Sequence, residues 1–352
     1  MNTPIAELMG CRFEEQCTLK WLRNALQSAI TLEFATLPPY LTALWSIKQE
    51  IHPVAVSIRE AVQEEMQHMG FACNMLRAIG GTPQIAGRVP QYPTTGLPGG
   101  VMPDLVVDID GLSQESLRTF MTIEQPKVDV ITGKRPEAAQ EGMFSTIGEF
   151  YDAIAAAFTK LKPVLGVKGQ VIGPRTGWAI DSLRAAQNAI KTIKEQGEGS
   201  SGTPLDFDPS DWSHYYRFAE IAKCRKIVAV PGEKKKKKKW MYGDQELPFP
   251  EVWPAVKLPK GGYDRDRVTG AVEHLMDAFD KTFTGMVDEL QATWANSDQA
   301  ALLRAIEAMF GMQEYALALM KTPRYDGRGN YVPRWRYLAS DTVARAGGAG
   351  LR

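Results

Sequence analysis

Residues 58–79 read IREAVQEEMQHMGFACNMLRAI, and one step inside them, Glu65-Met66-Gln67-His68, decides how the chain is read. On an α-helix, positions i and i+3 share a face, so both side chains can reach one ion in a bundle core. Glu65 stands seven residues after Ile58 and seven before Ala72, which points it along the apolar face. A lone carboxylate buried there is costly unless it meets a partner or a metal. Glu64 lies about 100° further round and reads as a solvent residue. This helix starts at Pro53 and stops at Gly80-Gly81-Thr82-Pro83.

Upstream, residues 18–50 place Leu22, Leu26, Ile30, Leu37, Leu41 and Leu44 at helical steps. Glu33 falls seven residues after Leu26 and four before Leu37, so a second carboxylate faces the core one helix earlier. Pro38-Pro39 removes two backbone donors and is expected to kink this helix, opening a path inward or simply bending it round the bundle end.

Downstream, residues 81–140 lose helical periodicity and read as a long crossover, with a short strand at Leu105-Val106-Val107 and a helix around 112–124. Helices are expected over 142–165, with Ser145 as N-cap, over 177–196 and over 211–225. The segment 226–263 reads as a loop holding six lysines, Lys234 to Lys239, and helices near 264–294 and 297–321 finish the fold. The resulting organisation is a helical bundle over 1–230 with the crossover inserted at 81–140. A lysine-rich loop (231–263) follows, then a C-terminal helical pair and tail (264–352) packed on the bundle.

A full dinuclear carboxylate site needs four helices contributing carboxylates and two imidazoles. Glu149 lies off the main apolar stripe of its helix, on a flank with Thr146, Ala153 and Ala156, where it either ligates or favours its own helix start. On the next helix Glu198 lies nearer the inward face than its competitor Glu195, and neither has a histidine three residues on. His214 appears only after a Gly/Ser/Pro/Asp-rich insertion, with Asp211 three residues before it as a ligand partner or cap. Tyr40, Tyr151, Tyr215 and Tyr216 read first as aromatic packing, with hydrogen bonding to ligands as the alternative. Met309, Met312 and Met320 read as core, and Glu307 and Glu314 as surface.

The 352 residues carry 41 basic and 41 acidic side chains, with 44% hydrophobic content. Zero formal charge argues against a general nucleic-acid or membrane-surface binder, and no stretch approaches the roughly 18 apolar residues of a membrane span. Cys11, Cys17, Cys73 and Cys224 form no CxxC pair, and the N-terminal residues carry no secretory pattern, so a cytoplasmic location is expected.

Five segments, LEFATLPPYLTALWSI (32–47), EEMQHM (64–69), GEFYDAI (148–154), EQGEG (195–199) and SHYYRFAEI (213–221), resemble the ferritin-like domain named for iminophenyl-pyruvate dimer synthase. Related domains occur in enzymes of the violacein and rebeccamycin pathways. The resemblance runs from about residue 18 to 230 in matching order. It implies a mainly α, ferritin-like four-helix bundle with Glu33, Glu65, His68, Glu149, Glu198 and His214 as metal ligands around a pair of ions. Hard carboxylates with two imidazoles suit iron first and manganese next. The expected function is a non-haem dinuclear-metal oxidase or oxygenase. By resemblance its substrate is a small amino-acid-derived or aromatic metabolite, and imine coupling is one such reaction. Dioxygen would be a co-substrate, a homo-oligomer is expected, and no catalytic side chain is assigned. With no flavin or iron–sulfur motif in the chain, electrons would come from an external donor or from the substrate. The alternatives are a ferroxidase or iron-handling protein, and a metal-free helical scaffold.

Overall fold

The computed structural model describes residues 17–140, 142–200, 202–206, 211–230, 239–264, 266–268 and 270–338. The expected ends of the chain, Cys11 and the lysines at 234–238 lie outside them. Eight α-helices dominate the described residues: α1 (Leu19–Trp45), α2 (Pro53–Ala78), α3 (Gln114–Ile123), α4 (Ile147–Leu161), α5 (Leu183–Glu198), α6 (His214–Lys223), α7 (Ala271–Asn296) and α8 (Gln299–Met320). Two antiparallel hairpins, β1 (Thr94–Leu97) with β2 (Val101–Val107) and β3 (Arg225–Ala229) with β4 (Trp240–Glu246), complete it. The architecture is the expected helical bundle with added C-terminal helices.

Side-chain caps set most helix starts. Thr18, Ser113, Thr146, Ser182 and Asp298 each accept a backbone N–H from the first turn that follows. Thr146, not Ser145, is the N-cap of α4, because its hydroxyl reaches the Glu149 N–H at 3.0 Å. α1 runs unbroken through Pro38 and Pro39. Pro39 has no N–H to offer the Ala35 carbonyl, and the Tyr92 hydroxyl donates to that carbonyl instead at 2.7 Å. The segment read as a loop at 226–263 contains β4 and the end of a hairpin, which packs Trp240 and Ile227 against Tyr216.

α1 and α2 pack side by side as the first pair of the bundle. The second pair is built from four short helices. α3 and α4 both pack on α1, while α5 and α6 both pack on α2; α3 pairs with α6 and α4 with α5. Each helix of this second pair is thus interrupted at mid-height, by residues 124–146 on one side and 199–213 on the other. The helix around 112–124 therefore belongs to the bundle, not to an excursion from it.

α7 and α8 form a third layer whose residues Phe283 and Trp335's neighbour Phe279 reach the outer side of α1: Phe34 stacks on Phe283 with centroids 6.2 Å apart. The chain beyond α8 returns to α1, where Trp335 stacks flat on Trp45 at 5.6 Å and donates its indole N–H to Thr42.

Candidate metal centre

Five buried residues converge between the two helix pairs. Glu33 comes from α1, Glu65 and His68 from α2, Glu124 from the residue after α3, and His214 from the first turn of α6; none is more than 4% exposed. They form two groups with donor atoms within 4.8 Å of one another, Glu33–Glu65–His68 and Glu65–Glu124–His214, and Glu65 belongs to both.

The histidines meet the centre through the same ring atom. His68 Nδ1 lies 3.5 Å from Glu65 and 3.8 Å from Glu33, and His214 Nδ1 lies 2.8 Å from Glu65 and 3.7 Å from Glu124. The far nitrogens are engaged outside the centre. His68 Nε2 meets Gln196 Oε1 at 2.8 Å, and His214 Nε2 meets Glu64 Oε2 at 2.7 Å. Both outer partners are acceptors here, so each Nε2 donates outward and each Nδ1 is turned toward the carboxylates. The rings stand nearly parallel, 5.6 Å apart.

The carboxylates are held in turn. Tyr151 donates to Glu33 Oε1, Thr36 donates to Glu65 Oε2 at 3.0 Å, and Tyr40 donates to Glu124 Oε1 at 2.7 Å. The tyrosines thus do more than pack. Arg217 balances Glu64 at 3.1 Å and Asp211 at 2.8 Å, so Asp211 serves the arginine and not the centre. Glu64 is no solvent residue: it lies under α6, where the reading of α2 alone could not place a neighbour.

Burial, with the charge of Glu65 beside it, pushes the Glu33 carboxyl well above its ordinary range. Burial also opposes charge on Glu65 and His214, but their contacts outweigh it. Glu65, faced by His214 and His68, stays far below the carboxylate range, and His214 among Glu124, Glu64 and Glu65 is held well above that of a free imidazole. Even so, His214 Nδ1 makes no hydrogen bond of good geometry, a buried polar atom aimed at oxygen 2.8 Å away. Oxygen and imidazole donors around an unsatisfied nitrogen fit a divalent cation.

The other expected ligands lie elsewhere. Glu149 Oε2 accepts the backbone N–H of Ser145, a clasp on the start of its own helix. Glu198 turns its carboxylate onto the backbone N–H of Gly148 at 2.7 Å, and Glu195 lies 3.8 Å from Lys191. Neither Glu149 nor Glu198 enters either donor group. Glu124 does, and its signal was available: it stands seven residues after Leu117 and four after Phe120, the rule that singled out Glu33.

Residues 196–198 run from the centre to the edge of an open cleft between α4 and α5. Gln196 holds His68, the Gly197 backbone lies against Glu124, where a β-carbon would stand 3.1 Å from Oε2, and Glu198 lines the cleft with Lys127, Asp152 and Lys194. Among the described residues no helix is long and apolar enough to cross a membrane.

A family model described as Ferritin-like matches residues 26–223. No curated protein matches the chain. Among solved structures, a ferritin like protein from Caulobacter vibrioides is similar at a TM-score of 0.61 and 23% identity, over 91% of this chain and 99% of that one, a likeness of fold. The matched span opens within α1 and closes at the last residue of α6, enclosing all five donors, and on that match the chain belongs to the Ferritin-like family.

Proposed function

We propose that this protein is a non-haem dinuclear-metal oxidase or oxygenase. Two divalent cations, iron first and manganese next, would be held by Glu33, Glu65, His68, Glu124 and His214. The observation that carries the reading is the sharing of Glu65 by two donor groups, each completed by one more carboxylate and one imidazole Nδ1. Glu65 would thus serve both cations, with one further carboxylate and one imidazole for each. When bound, such a pair supplies dioxygen activation and Lewis acidity.

The chain's own residues prepare the ground. Glu64 and Gln196 keep both imidazoles in the metal-binding tautomer, and Tyr151, Thr36 and Tyr40 orient the three carboxylates. Three carboxylates against two divalent ions leave one positive charge uncompensated. That excess would favour an anionic or polarised substrate. The cleft lined by Glu198, Gly199, Ser200, Gly202 and Thr203 is the route proposed for it, because both helices of the second pair are interrupted beside the centre.

The substrate proposed is a small amino-acid-derived or aromatic metabolite, with oxidative coupling of imines as the reaction the sequence resemblance favours. Electrons would come from that substrate or from an external donor. The test is metal content after anaerobic reconstitution with Fe(II). About two metals per chain, falling sharply in His68→Ala and His214→Ala, is the expected result. No metal above background in the wild type would overturn the reading.

A further inference from the structure

The cleft between α4 and α5 has a charge pattern of its own. Three parts of the chain meet in it: Lys127 from the connection after α3, Asp152 from α4 and Lys194 from α5. Asp152 holds both ammonium groups. Lys127 Nζ lies 2.6 Å from Oδ2, and Lys194 Nζ meets Oδ1. Burial opposes charge on Asp152, yet the two ammoniums hold its carboxyl below the ordinary carboxylate range.

This arrangement leaves a surplus. Two ammoniums against one carboxylate carry one uncompensated positive charge, and each has three N–H donors, of which Asp152 takes one. Both lysines stay reachable, with side chains 49% and 28% exposed. Fixed on the two oxygens of one carboxylate, they are set to grip a second carboxylate from the open side.

The other charges of the cleft do not cancel that surplus. Glu195 lies 3.8 Å from Lys191 as a pair of its own. Glu198 turns onto the Gly148 N–H at 2.7 Å, a fit that needs a glycine there, since a β-carbon would stand 2.4 Å from Oε1. Burial pushes the Glu198 carboxyl up to about 7, so near neutrality it carries only part of a charge.

Apolar surface adjoins the charged pair on two sides. Val128 follows Lys127 in the chain and is 39% exposed, and Ala155 lies one turn after Asp152 on α4. Val130 also lines the cleft, whose volume of about 620 Å³ is that of a small-molecule site.

We infer that this cleft binds a small organic monocarboxylate, its head on Lys127 and Lys194 and its apolar body along Val128, Val130 and Ala155. The inference deepens the proposed function by naming the group that anchors the substrate, and it rests on that reading for the acid's role as substrate; binding itself needs no metal. A monoanion matches the single surplus charge, whereas a phosphate dianion would exceed it and leave the apolar walls bare.

The experiment is isothermal titration of the full chain, kept metal-free with a chelator, with 4-methylpentanoate, with neutral 4-methylpentan-1-ol and with inorganic phosphate. The acid is expected to bind one per chain, at least about tenfold tighter than the alcohol or phosphate. The double variant Lys127→Gln/Lys194→Gln should weaken the acid about tenfold or more and leave the alcohol unchanged. A thermal melt verifies its fold. Should it fail to fold, Lys127→Gln alone, at a half-exposed side chain, should weaken the acid about threefold. No binding of the acid, alcohol or phosphate bound as tightly as the acid, or a folded lysine variant that binds the acid like the wild type would each overturn the inference. Because the chain is titrated without metal, failure of the metal reading leaves this test intact, and two metals per chain without acid binding would sink this inference alone.

Discussion

His214 Nδ1 stands 2.8 Å from Glu65 Oε1 without a hydrogen bond between them, while the opposite nitrogen of the same ring is fastened to Glu64 at 2.7 Å. The ring is therefore steered from outside the centre by a residue on α2, which turns Nδ1 toward Glu65 and Glu124. Glu64→Gln keeps the side chain's length but removes the charge that favours a proton on Nε2. Metal affinity should fall about tenfold to a hundredfold, the usual cost of losing such an outer partner. Equilibrium titration against a competing chelator measures this, and unchanged affinity would remove Glu64 from the design of the centre.

Glu124 and Glu149 give opposite expectations. Glu124→Ala should leave about one metal per chain, because one donor group loses its private carboxylate. Glu149→Ala should keep both metals and lose about 0.5–1 kcal/mol of stability with the clasp on Ser145. Metal analysis and a thermal melt of the two variants separate these outcomes; the reverse pattern would restore Glu149 as a ligand.

Metal binding should release protons. Burial beside Glu65 favours the protonated Glu33 carboxyl, and Glu124, Glu64 and Glu65 favour the protonated His214 imidazole, whereas a cation takes each group deprotonated. Apparent affinity should therefore rise with pH, and protons should appear in the buffer on loading. Titration heats in two buffers of different ionisation enthalpy count them. No proton release would mean that these two groups are not ligands.

Glu198 sets a different pH dependence, in the fold itself. Burial pushes its carboxyl up to about 7, against the Gly148 N–H and the Thr146 hydroxyl, which favour the ionised form. Between the ordinary carboxylate value and about 7, the folded chain holds a proton that the unfolded chain has released, so its contribution falls as pH rises through that window. Glu198→Gln should thus be more stable than the wild type at pH 8, by about 1–2 kcal/mol, with the difference gone at pH 4. Denaturant melts at the two pH values read it directly.

Gly70→Ala should destabilise the chain by roughly 1–3 kcal/mol, since the added methyl meets the Thr176 backbone and neither α2 nor the loop can give way cheaply. The same variant should displace Thr176 and Arg175. A thermal melt gives the first effect, and an unshifted midpoint would show that the loop yields.

Helical periodicity alone determined the mainly α fold, the long helices α1 and α2, and the inward aim of Glu33, Glu65 and His68. Those facts are local: on a helix, sequence spacing fixes direction, and an acidic residue in phase with leucines must point inward. The tertiary structure decided what spacing cannot reach. It placed the helix at 114–123 inside the bundle, so Glu124 brings its carboxylate into the buried cluster that Glu149 does not enter. It split the fourth bundle position at residues 199–213, so His214 arrives without the Glu-x-x-His step that would have announced it. It set α6 over α2, turning Glu64 from an apparent surface residue into the anchor of His214. The physical reason is one: direction around a helix is written in the chain, whereas the partner across the core is chosen only when separate helices pack.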